Sequence, residues 1–139
     1  MKTVMNANRV LERFQPQTGL VLGSGLGTFV ERLSIAERIP FANAGLLQSV
    51  VSGHGGEIVL GTLSHVRLAV LSGRVHLYEG WSAGEVTAGV RLLAAAGVSS
   101  LILTNAAGTL NPGFPPGQWM MLTDHLNLTG QSPLTGGPN

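Results

Sequence analysis

The chain has 139 residues, 44% of them apolar and 11% charged, which allows one compact domain with a real core and excludes a disordered segment. Eight Lys and Arg against seven Asp and Glu give a formal charge of +1, with the arginines scattered, so nucleic acid and anionic membrane are poor partners. Without cysteine there is no disulfide framework and no thiolate metal site, and no apolar run follows Lys2 as it does in a secretory signal.

Residues 3–14 carry Val4, Val10, Leu11 and Phe14 at helical spacing, with Pro16 as a stop. Thr18 to Leu22 reads as a short buried strand entering the loop Gly23-Ser24-Gly25-Leu26-Gly27. A helix is expected next, through Thr28, Phe29, Val30 and Leu33, so that strand, glycine turn and helix start aim free backbone N–H groups at a ligand. Residues 34–52 read as irregular, with a strand near Ile39 to Phe41. Ile58 to Leu63 and Val66 to Leu71 form a hairpin around Ser64-His65.

Ser82-Ala83-Gly84-Glu85 fits a capping box, and the helix it opens carries Val86, Val90, Leu92 and Leu93 before Gly97 stops it. Leu101-Ile102-Leu103 follows as a wholly apolar strand of the kind buried on both faces. Trp119 to Thr123 is a further strand candidate. The uncharged run from Leu92 to Thr123 is broken by Gly97, Asn105, Gly108, Asn111, Pro112, Pro115 and Pro116 well below a membrane-spanning length, so a soluble, cytoplasmic chain is expected.

Four polar segments stand out from this apolar background. Gly73-Arg74-Val75-His76-Leu77-Tyr78-Glu79-Gly80 concentrates a cation, an imidazole, a phenol and a carboxylate between glycines, a pattern suited to a small anion approached by side chains and main-chain amides together. Gly23 to Gly27, Gly53-His54-Gly55-Gly56 and Thr104-Asn105-Ala106-Ala107-Gly108 suit the same use. In open α/β sheets ligands bind outside the carboxyl ends of strands, where the first, third and fourth segments in chain order fall.

Each residue also has a plainer reading. Arg74 is either an anion ligand or half of a surface ion pair, and the glycines around it favour the former. His76 alone reads as a core histidine but stands beside Arg74 and Tyr78, while Glu79 either supports catalysis or pairs with Arg74. Ser24 serves as an N-cap or a ligand, His54 as a turn residue, and Asn105 as a strand terminator. His125 after Asp124 reads as structural, His65 as solvated, and Trp81 and Trp119 as core or interface.

Taken in order with Val21-Leu22 before the first loop, Leu110-Asn111-Pro112 and Asp124-His125-Leu126-Asn127, these motifs resemble the trimeric purine nucleoside phosphorylase family from about Gly19 to Asn139. The resemblance implies an α/β fold, a partial, truncated nucleoside-phosphorylase-like domain with a central mixed sheet flanked by helices, covering residues 1–139. It implies phosphorolysis of purine nucleosides to base and ribose 1-phosphate, with inorganic phosphate as co-substrate and no metal or organic cofactor. Phosphate would be held by Ser24, His54, Arg74, His76 and the backbone at Ala106. Tyr78 would meet the ribose, with His76 and Glu79 as the catalytic pair. A homotrimer is the assembly implied.

The chain departs from the family at Val75, Trp81 and Thr109, and ends within a family segment at about half a member's length. By that resemblance the residues that read the purine lie beyond Asn139. A fragment, a disrupted gene product and one piece of a split protein all fit this. The competing function is a phosphate or nucleotide-sugar binding domain without catalysis. A dinucleotide site at Gly23 to Gly27 ranks lower, because Thr28 stands where the fingerprint wants glycine or alanine and no acidic residue follows about 20 positions on.

Overall fold

The computed structural model describes residues 4–49 and 56–136. Helix α1 (Val4–Phe14) buries Val10 and Leu11 and turns Arg9, Glu12 and Arg13 to solvent, as the apolar spacing requires. Strand β1 (Thr18–Leu22) has the expected bounds and four consecutive buried residues.

The helix expected after the glycine loop is instead a single six-residue 3-10 turn, Gly27–Arg32. Phe29 N–H donates to Leu26 O at 3.0 Å and Leu33 N–H to Val30 O at 3.2 Å, and no side chain caps the start. So short a turn carries little dipole, and any anion at this loop must rely on individual loop donors.

Strand β2 (Ser34–Pro40) takes in residues 34–38, read as irregular, together with Ile39 and Pro40, where a strand was expected. Most of it was hidden because it is an edge strand with only Ile39 buried, and a register shift between Ile35 and Glu37 breaks the alternation by which a strand is recognised. A 3-10 turn, Phe41–Ala44, follows. The hairpin of β3 (Glu57–Leu63) and β4 (Val66–Ser72) turns at Ser64-His65, with Ser64 at φ 56° and His65 exposed.

After a short 3-10 turn at Leu77–Glu79, the capping box forms as expected. Ser82 N–H donates to Glu85 Oε2 at 2.8 Å, and Glu85 N–H returns to Ser82 Oγ at 3.2 Å. The helix it opens is split into α2 (Ala83–Val86) and α3 (Ala88–Ala95). Thr87 at the break turns its hydroxyl back onto Ala83 O at 2.8 Å, a bond that bends helices. Gly97, at φ 83°, ends the segment ahead of β5 (Ser100–Leu103).

The sheet order is β2-β3-β4-β1-β5, with β1 parallel to both β4 and β5 and the other pairs antiparallel. Alternation sorts its side chains into two apolar layers. Val21, Ile58, Leu60, Ala69 and Leu71 pack with Leu11 of α1 and Leu93 of α3 on one face. Leu20, Leu22, Val59, Leu68 and Val70 pack with Val30 and Leu33 on the other.

One expectation fails at the far edge. All four residues of β5 are exposed, Ile102 at 52% and Leu103 at 62%, where a strand buried on both faces was expected. The sheet supplies β5 with one neighbour, β1, and residues 104–136 lay no helix or strand over it. Trp119 to Thr123 likewise forms no strand, and Trp119 is 77% exposed. No helix among the described residues is long and apolar enough to cross a membrane.

Candidate anion and sugar site

Three neighbouring strands fix the site. Because β4, β1 and β5 run parallel and adjacent, with Leu22 beside Ser72 and Val21 beside Leu103, their carboxyl ends release three loops from one edge of the sheet. The Gly23–Gly27 loop leaves in the middle, the Gly73–Gly80 segment on one side and the Thr104–Gly108 segment on the other. That is the position at which parallel α/β sheets bind ligands.

Thr104 ties the three together. Its hydroxyl accepts Gly23 N–H at 2.8 Å and donates to Val21 O at 2.8 Å, and its N–H donates to Val21 O at 3.0 Å. Its carbonyl accepts Arg74 Nη1 at 3.0 Å. The loops approach so closely that a Cβ on Gly23 would stand 2.7 Å from both Thr104 O and Asn105 Cα.

The ion pairs among the described residues are Arg13–Glu37 and Arg38–Glu57, so the pairing of Glu79 with Arg74 is not the arrangement adopted. Arg74 is fixed by a neutral carbonyl, which orients the guanidinium without cancelling its charge. Beside it lies a cavity of about 170 Å³ lined largely by apolar side chains, among them Val21, Leu71, Val90 and Leu103. Low polarity there strengthens electrostatic contacts made by Arg74.

The carboxylate of Glu79 is used from both oxygens: Oε1 accepts His76 N–H at 2.8 Å and Oε2 accepts the Ser49 hydroxyl at 2.9 Å. It therefore fixes the backbone of His76 and ties the segment after the Phe41–Ala44 turn to the site. The imidazole of His76 stacks on the Tyr78 ring, with centroids 4.8 Å apart and planes 12° from parallel. Tyr78 is 79% exposed, which leaves its ring and hydroxyl open to a ligand.

Of the residues singled out in the sequence, Ser24, Arg74, His76, Tyr78, Glu79 and Ala106 lie on these loops, with Ser24 and Ala106 exposed. His54, with Gly53 and Gly55, lies outside the described residues. Asn105 bonds backbone, its Nδ2 donating to Ala106 O at 3.2 Å, and His125 N–H is held by Asp124 Oδ1 at 2.8 Å. Trp81 encloses its indole N–H without a hydrogen-bond acceptor.

Two contributors escaped the sequence reading. Thr104 opens a segment in which only Asn105 and the backbone of Ala106 carry assigned roles, and Ser49 stands in a segment read as irregular. A hydroxyl residue directly after an apolar strand was the available signal for Thr104; Ser49 offered none. No group of three or more His, Asp or Glu side chains with metal-binding proximity occurs among the described residues.

A sequence-family profile described as the phosphorylase superfamily matches residues 17–139. The chain is 46% identical over 125 residues to purine nucleoside phosphorylase 1 of Geobacillus stearothermophilus, covering 89% of this chain and 45% of that protein. In three dimensions it is similar to a schistosoma purine nucleoside phosphorylase crystallised with hypoxanthine, at a TM-score of 0.80 and 33% identity, covering 99% of this chain and 49% of that one. A purine nucleoside phosphorylase complexed with ribose 1-phosphate matches at 0.68 and 34% identity, over 82% and 42% of the two chains. The chain spans about half the length of the relatives it matches.

Proposed function

The chain belongs to the phosphorylase superfamily, and from that premise we propose that it forms the phosphate- and ribose-holding half of a purine nucleoside phosphorylase. The observation that carries the reading is the convergence of three loops at one sheet edge around an arginine whose partner is a carbonyl rather than a carboxylate. The complexes of related enzymes with hypoxanthine and ribose 1-phosphate support the substrate class.

In this reading the Ser24 hydroxyl, the loop amides, the Arg74 guanidinium, His76, Ala106 N–H and His54 hold inorganic phosphate. A phosphate oxygen forms the bond to C1 of the ribose as the bond from C1 to the base nitrogen breaks, and the departing base takes up a proton. Positive charge develops on the sugar between these events, and held phosphate stabilises it without reorganising. Tyr78 lies against the ribose. Glu79 acts through its hold on the His76 backbone. No metal or organic cofactor is needed, because donors from arginine, hydroxyl and amide suffice for an anion of this kind. We extend the reading to a cytoplasmic homotrimer, supported by the family resemblance.

Calorimetric titration of residues 1–139 with phosphate, ribose 1-phosphate and a dinucleotide tests the assignment. Phosphate and ribose 1-phosphate are expected to bind and to compete, while the dinucleotide stays out. Binding of the dinucleotide with no response to phosphate would overturn it.

A further inference from the structure

The ligand contacts proposed above leave one well-connected residue unused. Thr104 sits immediately after β5 and holds both flanking loops through separate atoms: the hydroxyl takes Gly23 N–H at 2.8 Å, and the carbonyl takes Arg74 Nη1 at 3.0 Å. The hydroxyl hydrogen is itself committed to Val21 O, so the oxygen lone pair is aimed at Gly23 rather than free to rotate away. An extended cation and a flexible glycine loop are thereby referenced to one point on the rigid sheet.

We propose that Thr104 is the positioning residue that sets the spacing between the glycine loop and Arg74, and through it the affinity for phosphate. This rests on the phosphate reading of the site. The physical case is one of preorganisation. Arginine loses considerable rotamer freedom when it binds, and glycine backbone loses more than any other, so fixing both beforehand removes a cost from the binding step. Without the hydroxyl, Gly23 N–H loses its acceptor at a partly buried position and the loop is released. The carbonyl contact to Arg74 belongs to the backbone and survives substitution, so the hydroxyl half of the clamp can be removed by itself.

The test compares Thr104→Val, which keeps the shape and deletes the hydroxyl, with Thr104→Ser, which keeps the hydroxyl. Inorganic phosphate is titrated into each 139-residue protein, and exchange of the Gly23 amide is followed by NMR. In the valine variant phosphate affinity is expected to fall about tenfold and Gly23 exchange to quicken, while serine stays within about twofold of the parent. A merely structural threonine would lower the melting temperature and leave the phosphate affinity of the folded protein unmoved. That result overturns the inference, as does an equal loss in the serine variant.

Should the valine variant fail to fold, reciprocity supplies the test without it: a clamp that favours phosphate must be tightened by phosphate. Gly23 exchange in the parent then slows at saturating phosphate, and unchanged exchange refutes the role. A parent that binds no phosphate sinks the reading of the site and this inference with it. Phosphate binding that is indifferent to the valine substitution sinks the inference alone.

Discussion

The three glycines of the Gly23–Gly27 loop are predicted to tolerate alanine to sharply different degrees. At Gly23 the new methyl would stand 2.7 Å from Thr104 O and Asn105 Cα and 3.0 Å from Asn105 N. All three neighbours are backbone, so none can swing aside, and relief requires the loop and the end of β5 to separate. Overpacking of that kind costs about 1–3 kcal/mol. Separation also stretches the bond from Gly23 N–H to Thr104 Oγ1, worth about another 1 kcal/mol.

At Gly25 nothing lies within 4 Å, but φ is 85°, and an L side chain there costs about 1–2 kcal/mol through the backbone alone. Gly27 has neither a neighbour within 4 Å nor a left-handed φ, so alanine is expected to be neutral or to stabilise by up to about 1 kcal/mol. Urea denaturation of the three variants and the parent reads the order directly, as midpoint shifts at unchanged slope. Equal midpoints for Gly23→Ala and Gly27→Ala would refute the close approach on which the site's geometry depends.

Arg74→Ala is expected to weaken phosphate binding by at least about tenfold, and Arg74→Lys to restore only part, because lysine offers a point charge where arginine offers a fork. Equal affinity in parent and alanine variant would remove Arg74 from the site. The Glu85 carboxyl is held below the ordinary carboxylate range by the Ser82 hydroxyl, which donates to it, and then by Ser82 N–H. A lowered folded pKa contributes stability that is complete above the unfolded value and is lost as pH falls through the folded one. The protection factor of the Ser82 amide, its exchange relative to the intrinsic rate at each pH, should therefore fall on acidification in the parent, and Glu85→Gln should flatten that dependence; an unaltered acid limb in the variant would contradict it. Residues 1–139 alone are expected to release no hypoxanthine from inosine, because the exposed Tyr78 leaves the sugar side of the site open to water. Phosphate-dependent release by a monodisperse preparation would show otherwise.

Elements whose apolar pattern is local were legible in the sequence. Thr18 to Leu22 is continuous and buried, and the β3–β4 hairpin sets two apolar runs on either side of a short polar turn. The Ser82–Glu85 box is a local exchange of hydrogen bonds that needs no distant partner. What failed was whatever depended on neighbours. Strand β2 shows too little apolar surface because it is an edge, and β5 shows apolar residues without the cover they anticipate. The site divides in the same way. Arg74, His76, Tyr78 and Glu79 fall within six residues and declared themselves, whereas Thr104 matters through Gly23, 81 positions away, and Ser49 through Glu79, 30 away.

The central claim is that the Gly23–Gly27, Gly73–Gly80 and Thr104–Gly108 loops form one anion site. Its most direct measurement is a phosphate titration of residues 1–139 at constant ionic strength, followed by the backbone amide resonances. Saturable shifts with one common dissociation constant are expected at Ser24, Gly25, Arg74, His76 and Ala106, with β2 at the opposite edge of the sheet unmoved. Shifts confined to a single loop, or identical shifts when chloride replaces phosphate, would contradict the account.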